Sequence, residues 1–325
     1  MSSPFTGVDQ DLRVFLDAYR AKHPEDVFVV DEPLSADQDL TALVWQLAAR
    51  GHHELLICTK VSGFEEPVVT NMFASRERVA RMLETDVAHL HSTYQARARN
   101  LLAPRVLGTG PVLDHVLSGE QVDLSALPLI KHFESDASGY ITSGIIYAEH
   151  PDTKVGNLSY HRAQLHTKAE LATSLHSRGH LWQMLTAAKE HGSSLPAAMI
   201  IGAHPLFMLA ASARVGAEVD ERFIAGGLFG APLEVVNTPR YGLGVPATAE
   251  LVLEGVIDPD RSITEGPFGE FSGYSSHRTT NTSFQVETVL TRNGSFLLDV
   301  VGGNSAEHLN LARIPRESEM AEKLK

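Results

Sequence analysis

Ser283-Phe284-Gln285-Val286-Glu287-Thr288-Val289-Leu290, then Asn293-Gly294, then Ser295-Phe296-Leu297-Leu298-Asp299-Val300, is two apolar-rich runs around a turn signal. Aromatic and β-branched residues suit an extended, half-buried backbone. Asn-Gly between two such runs predicts a type I′ hairpin, because both residues tolerate positive φ. Working outward, Tyr140-Ile141-Thr142-Ser143-Gly144-Ile145-Ile146-Tyr147, Leu233-Glu234-Val235-Val236 and Leu251-Val252-Leu253 also read as strands. Leu181, Met184, Leu185 and Ala188 recur at helical spacing and stop at Gly192. Residues 116–305 are therefore expected to form a mostly antiparallel β domain, of barrel type, with inserted helices.

The chain before it has another character. Leu12, Phe15, Leu16 and Tyr19 make a helical stripe, and Leu40, Leu43, Val44 and Leu47 make a second, with Gly51 where a C-cap belongs. Val27 to Val30, Leu55 to Cys58 and Pro67 to Thr70 read as strands, and Ser75 can cap a helix carrying Val79, Met82 and Leu83. Alternating helix and strand predict a small α/β domain over residues 1–115, closed by the Pro104, Gly108, Gly110, Pro111 punctuation. Residues 306–325 read as the start of a linker or helix rather than the close of a packed domain. The expected fold class is α+β.

Composition narrows the function classes. The chain has 325 residues and a formal net charge of −13. An acidic chain with no basic run argues against nucleic-acid binding, which rests on Lys and Arg meeting phosphate. One cysteine, Cys58, rules out an internal disulfide framework and a Cys-rich zinc site; it reads as a small buried hydrophobe. Met1-Ser2-Ser3-Pro4 has neither the basic nor the apolar region of a signal peptide, and no apolar run reaches the ~20 residues of a membrane helix. The expected location is the cytoplasm.

The candidate chemistry lies in Thr264-Glu265-Gly266-Pro267-Phe268-Gly269-Glu270-Phe271-Ser272-Gly273-Tyr274. Gly and Pro make a helix unfavourable there. Two acids beside an aromatic rim suit proton transfer, because apolar surroundings and a second acid raise a carboxyl pKa. A surface turn with two solvated glutamates is the plainer reading of these residues alone. In Gly156-Asn157-Leu158-Ser159-Tyr160-His161-Arg162-Ala163-Gln164, Arg162 could clamp a carboxylate or phosphate in bidentate fashion, or be a solvated strand arginine. His180 precedes the apolar helix, where free N–H groups suit phosphate, though a lone histidine there is more often a cap or core residue. Asn157, His180 and Glu221 are too far apart for a spacing argument. As a set they would offer oxygens and one imidazole nitrogen, which suits Mn²⁺ or Mg²⁺ shared with a phosphate.

Taken in order, several blocks resemble the UbiD family of prenylated-flavin-dependent decarboxylases. They are Asn157 to Gln164, Ile201-Gly202-Ala203-His204-Pro205 with Leu209-Ala210-Ala211-Ser212, and Gly230-Ala231-Pro232-Leu233-Glu234-Val235-Val236. Val245-Pro246-Ala247-Thr248-Ala249-Glu250, Leu253-Glu254-Gly255 and Glu265-Gly266-Pro267-Phe268-Gly269-Glu270 follow. The resemblance runs from about Leu124 to Asn304 and is weaker before. It implies that Arg162, Glu265 and Glu270 are catalytic, that Asn157, His180 and Glu221 hold a divalent ion, usually Mn²⁺, at the flavin phosphate, and that K⁺ lies near Ala211-Ser212. It places Ser159, Tyr160, His161 and Gln164 in the stretch that contacts prenylated FMN. The implied middle domain is a flavin-reductase-like split β-barrel. The family's C-terminal α/β domain, which builds its dimer, is expected to be missing from these residues.

The implied reaction is reversible non-oxidative decarboxylation of an α,β-unsaturated or aromatic carboxylic acid, in secondary metabolism among other settings. The implied partners are a flavin prenyltransferase that supplies the cofactor and, in full-length form, a second copy of the chain. Glu265 is expected against Arg162, and Glu270 is expected nearer the substrate, without a cation of its own and with a raised pKa. Phe268, Phe271 and Tyr274 are expected to keep water out. A glycosidase-like hydrolase using the two glutamates and a non-catalytic flavin-binding scaffold remain open as alternatives.

Overall fold

The computed structural model describes residues 8–276 and 281–324. Met1 to Pro4, read above for the absence of a signal peptide, lie outside the described residues. The N-terminal part alternates as expected: α1 (Leu12–Lys22), β1 (Val27–Val30), α2 (Asp39–Ala48), β2 (Leu55–Cys58), β3 (Val68–Thr70), α3 (Arg76–Met82) and α4 (Leu90–Ala98). The Ser75 side chain does cap α3, accepting from the Arg78 amide. Cys58 is fully buried, and that burial pushes its thiol up to about 12.

Next come β4 (Arg105–Val106), β5 (His115–Ser118), β6 (Tyr140–Ile141), β7 (Ile145–Glu149), β8 (Gly156–Tyr160), β9 (Ala163–Thr167) and β10 (Glu170–Thr173). They are followed by α5 (His180–Glu190), β11 (Leu195–Ile201), α6 (Pro205–Ala211), α7 (Glu221–Phe229), β12 (Glu234–Asn237) and β13 (Gly244–Pro246). The chain ends with β14 (Leu251–Ile263), β15 (Phe268–Gly269), β16 (Ser275–Ser276), β17 (Asn281–Thr291), β18 (Leu297–Leu298) and α8 (Ala306–Lys323). The large antiparallel sheet has the order β6-β9-β10-β17-β14-β11-β7-β8, with β5 also on β17. Among the described residues, no ladder joins β8 back to β6.

Period-two alternation builds two cores from one sheet. Ile145 and Tyr147 of β7, with Ala198 and Ile200 of β11, face a core shared with α6 and α7. Ile146, Ala148, Ala197 and Met199 face the opposite core with Leu181, Met184, Leu185 and Ala188 of α5. The strand-like sequence runs are therefore buried on both sides, and helices cover both.

The expected hairpin at Asn293-Gly294 does not form. Gly294 has φ +60°, but β18 pairs in parallel with β3, Leu297 opposite Val68 and Leu298 opposite Val69. The reason lies in β17: Thr288 to Leu290 already face β14 on one side and β5 on the other. With both edges occupied, the second run satisfies its backbone at β3 instead. Arg13 holds the turn, donating to the carbonyls of Asn293 and Gly294 at 3.0 and 2.9 Å.

The last stretch also differs from expectation, because α8 is packed. Leu311 and Ile314 are buried in the core that contains Leu90 and Tyr94, and Ser318 meets His91 Nδ1 at 2.9 Å. Glu307 in its first turn is fully buried. It accepts the amides of Asn71, Phe73 and Val301, tying α8 to the end of β3.

Candidate active site

β8 and β9 lie near opposite ends of the sheet order, yet only His161 and Arg162 separate them. The chain thus crosses the open seam of the sheet in two residues, and Arg162 is carried on that crossing. Its Nε donates to Glu265 Oε1 at 2.8 Å and its Nη2 to Glu265 Oε2 at 3.0 Å. The remaining terminal nitrogen, Nη1, makes a short contact to Glu270 Oε1. Glu265 is buried and also receives Asn281 Nδ2 at 2.6 Å. Both its oxygens are taken, so it is not placed to activate water as a hydrolase base would.

Glu270 departs from the expected picture. It has a cation, Arg162, and a hydroxyl, Ser276 Oγ at 2.6 Å. Partial burial pushes its carboxyl up, but Ser276 and Arg162 outweigh that and hold it below the usual carboxylate range. The aromatic rim is also only partly built. Phe268 is buried, with the Arg162 guanidinium 4.5 Å from its ring centre and Tyr140 packed edge-on at 4.8 Å. Phe271 and Tyr274 are 62% and 79% exposed among the described residues, and Tyr274 borders a small cavity that also reaches Glu270.

The acid loop is held by the protein around it. Gly266 donates its amide to Gln164 Oε1 at 2.8 Å, and Gly269 donates to Asp136 Oδ1 at 2.8 Å. Tyr140 donates to the carbonyls of Gly266 and Pro267. A Cβ at Gly266 would overlap Ala137, and one at Gly269 would overlap the Phe133 ring, so close approach requires glycine at both. Gln164, expected at the flavin, spends its amide on Gly266 and Ser138. Asn281, Ser276, Tyr140 and Asp136 were not singled out from sequence, and no spacing or motif marks them.

A second group lies in a cleft of about 710 Å³ lined by Asn157, Ser159, Tyr160, His161, His180 and Glu221 among others. β8 supplies Asn157, while His180 and Glu221 are the first residues of α5 and α7. Asn157 Nδ2 donates to Glu221 Oε1 at 3.0 Å, and the Leu158 amide donates to Oε2 at 2.8 Å. Burial pushes the Glu221 carboxyl up to about 7 despite these donors. Burial also pushes His161 down to about 4. Its Nδ1 lies 3.0 Å from the Ser174 carbonyl, so Nε2 is the acceptor and takes the Ser159 hydroxyl at 2.9 Å. The same hydroxyl also donates toward Asn157 Oδ1 at 3.0 Å, so its single hydrogen is divided between two acceptors. A buried carboxylate and an amide oxygen, with His180 in the same cleft, are the donor types a divalent cation takes. Among the described residues, no group of three or more His, Cys, Asp or Glu is placed to hold a metal.

Ser212 caps α6 at its C-terminal end, and its Oγ lies 3.4 Å from the Met208 carbonyl, which also receives Tyr160 at 3.2 Å. An adjoining cleft of about 320 Å³ is lined by Thr142, Tyr160, Ser212, His308 and Arg316 among others.

Known proteins share this fold. A solved structure of HmfF from Pelotomaculum thermopropionicum, an evolved dimeric form of a UbiD-class enzyme in complex with prFMN, superposes with a TM-score of 0.91 at 31% identity, covering 97% of this chain and 72% of that one. The closed form of Sedimentibacter hydroxybenzoicus vanillic acid decarboxylase superposes at 0.90 with 25% identity, covering 98% and 70%. By sequence, the anhydromevalonate phosphate decarboxylase of Methanothermobacter thermautotrophicus is 31% identical over 79% of this chain and 57% of its own length. The pyrrole-2-carboxylic acid decarboxylase of Pseudomonas aeruginosa is 38% identical over 54% of this chain and 35% of its own. The chain thus spans less than two thirds of these curated relatives. Residues 20–97 match the 3-octaprenyl-4-hydroxybenzoate carboxy-lyase N-terminal domain. Residues 105–305 match the Rift-related domain of the same enzymes. With both domain matches in sequence order and the fold shared over nearly its whole length, the chain belongs to the UbiD family.

Proposed function

We propose that this chain carries the flavin-binding and catalytic part of a non-oxidative carboxy-lyase acting, in either direction, on an α,β-unsaturated or aromatic carboxylic acid. The observation that carries the reading is the sharing of one guanidinium: Arg162 is committed to Glu265 through two hydrogen bonds and to Glu270 through one. When bound, prenylated FMN supplies the electron sink that no side chain offers for the carbanion left by loss of CO₂. Asn157, His180 and Glu221 would hold a Mn²⁺ or Mg²⁺ ion at its phosphate, with K⁺ near the Ala211-Ser212 end of α6. Ser159, Tyr160 and His161 line the same cleft.

The residues' own roles follow from the site. Glu265, with Asn281 behind it, fixes the plane of Arg162. A substrate carboxylate arriving at Nη1 competes with Glu270 for the same donor. Once displaced, Glu270 loses its cation and gains an anionic neighbour, and both changes raise its pKa. It then takes a proton and can deliver it to the carbon that lost CO₂. The low pKa of Glu270 in the free protein and an acid role in turnover are therefore compatible.

A flavin prenyltransferase as cofactor supplier and a homodimer of the full-length protein belong to the same reading, as does division of the chain at about residue 115, with β18 and α8 returning to the N-terminal part. The test is to produce the protein beside a flavin prenyltransferase, record its absorbance and assay CO₂ release from a panel of aryl acrylic, aromatic and heteroaromatic acids. Flavin binding without release from any acid would favour a scaffold role, and colourless protein would sink the reading.

A further inference from the structure

The segment Phe133-Glu134-Ser135-Asp136-Ala137-Ser138 lies against the acid loop and holds an aspartate that the reaction above does not use. Asp136 is buried, with about 3% of its surface exposed. Its Oδ1 accepts the Gly269 amide at 2.8 Å and its Oδ2 the Phe133 amide at 3.1 Å. The Ala137 amide donates to the Pro267 carbonyl at 3.1 Å in the same contact. Burying a carboxylate is costly unless both oxygens find donors. Here those donors are one amide of its own segment and one amide of the acid loop, so a single side chain joins the two backbones. An asparagine could accept only one of them.

We propose that Asp136 is a positioning residue for Glu270: by fixing the Gly269 amide, one residue before Glu270, it sets the backbone from which that carboxyl reaches Arg162 and Ser276. Phe133 and Ala137 fill the space beside Gly269 and Gly266, so the loop is held by shape on one side and by Asp136 at its hinge with Glu270. Without that bond the short β15–β16 hairpin keeps its own pairs, Phe268 with Ser276 and Gly269 with Ser275, and its contacts through Tyr140, Ala137 and Ser135, but the backbone next to Glu270 is no longer pinned at Gly269. This inference rests on the role proposed for Glu270.

The test uses Asp136→Asn. In protein carrying prenylated flavin, kcat should fall about ten-fold or more while KM and flavin occupancy stay within about two-fold, because an acid moved by a fraction of an ångström delivers its proton poorly. In flavin-free protein, carbon-detected NMR should show the Glu270 carboxyl titrating higher than in wild type, as it leaves Arg162 and Ser276; His308, which also bears on it, is not altered by the substitution. An Asp136→Asn protein in which Glu270 titrates as in wild type overturns the proposal, whatever its turnover. Amide exchange in the wild-type protein gives a second arm that needs no variant: Gly269 should be strongly protected, and exchange as fast as an open turn overturns the proposal too. A shifted Glu270 titration in a protein that decarboxylates nothing keeps the positioning role and removes the decarboxylase reading.

Discussion

Arg162 grips Glu265 with two hydrogen bonds, at 2.8 and 3.0 Å, and meets Glu270 with only its one remaining terminal nitrogen. The two acids are thus unequal before any ligand arrives. Glu265 is buried and held on both oxygens; Glu270 is half-buried and held at one oxygen, by Arg162 and Ser276.

The first prediction concerns that inequality. Glu270→Gln should lower decarboxylation by roughly 100-fold or more while the flavin still binds, because the amide keeps the shape but has no acidic proton to give. Steady-state kinetics beside a flavin absorbance spectrum would check it. Normal turnover would remove Glu270 from the mechanism.

The pH dependence carries the same assignment. In the free protein, Ser276 and Arg162 hold Glu270 below the usual carboxylate range. With substrate on Arg162, its pKa should rise. kcat reports the substrate complex and kcat/KM the free enzyme, so the pKa assigned to this acid should be higher in the kcat profile. Activity should weaken as pH rises through it, since the protonated form donates. Coincident profiles that are unaltered in Glu270→Gln would contradict the switch.

Arg162→Lys keeps the charge and should still fail. A lysine ammonium is a point donor on a flexible stem and cannot hold Glu265 in a fixed plane while serving a second carboxylate. We expect kcat/KM to fall about 100-fold, with thermal unfolding changed little. A variant within about three-fold of wild type would show that charge alone suffices.

Removing a metal ligand should be visible without turnover. Glu221→Gln replaces the buried carboxylate that accepts from Asn157 and Leu158, and Mn²⁺ retention should weaken by at least about ten-fold. Manganese electron paramagnetic resonance of wild type and variant, each dialysed against the same free Mn²⁺, measures this. Equal retention would displace the ion from this cleft.

The stability prediction rests on Glu307. Burial, together with the charge of Asp299, pushes its carboxyl up to about 7, against the three amides it accepts. A group whose folded pKa lies above its unfolded value stabilises the fold at low pH, and that stability is lost as pH rises through the folded value. The melting temperature of metal-free protein should therefore fall between about pH 5 and pH 8, and Glu307→Gln should flatten that slope. Every ten-fold difference in proton affinity between the folded and unfolded chain corresponds to about 1.4 kcal/mol. An unchanged slope in the variant would assign the pH dependence to other groups, Glu221 first among them.

Much of the fold could be read from apolar periodicity, because a strand buried on both faces and a helix with one apolar stripe leave strong local patterns. Leu181, Met184, Leu185 and Ala188 mark α5, and Leu251 to Leu253 mark the start of β14. Asn293-Gly294 predicts a hairpin that does not form, because a turn signal says that the chain bends, not which edge is vacant. Only the tertiary arrangement shows β5 on the edge of β17 that the hairpin needed. The site was legible only through family blocks. Arg162 and Glu265 lie 103 positions apart and Asn157 and Glu221 64 apart, so nothing local joins them. The direction of the Glu270 shift is hidden in the sequence because the cation that lowers it, Arg162, lies 108 positions away. Asp136 is not legible in the sequence because a polar loop looks the same whether its aspartate faces water or backbone amides.

The returning strand β18 has a consequence for synthesis on the ribosome. β3 is followed at once by α3, but its parallel partner is Leu297–Leu298, and Glu307 ties down the amides beside it later still. The N-terminal sheet therefore leaves the exit tunnel with an open edge and must keep it until nearly all of the described chain has been made. Such an edge is a template for the wrong strand, and pairing across so long a separation is slow. The first sheet to emerge is thus completed only after its last strand, β18, has been made.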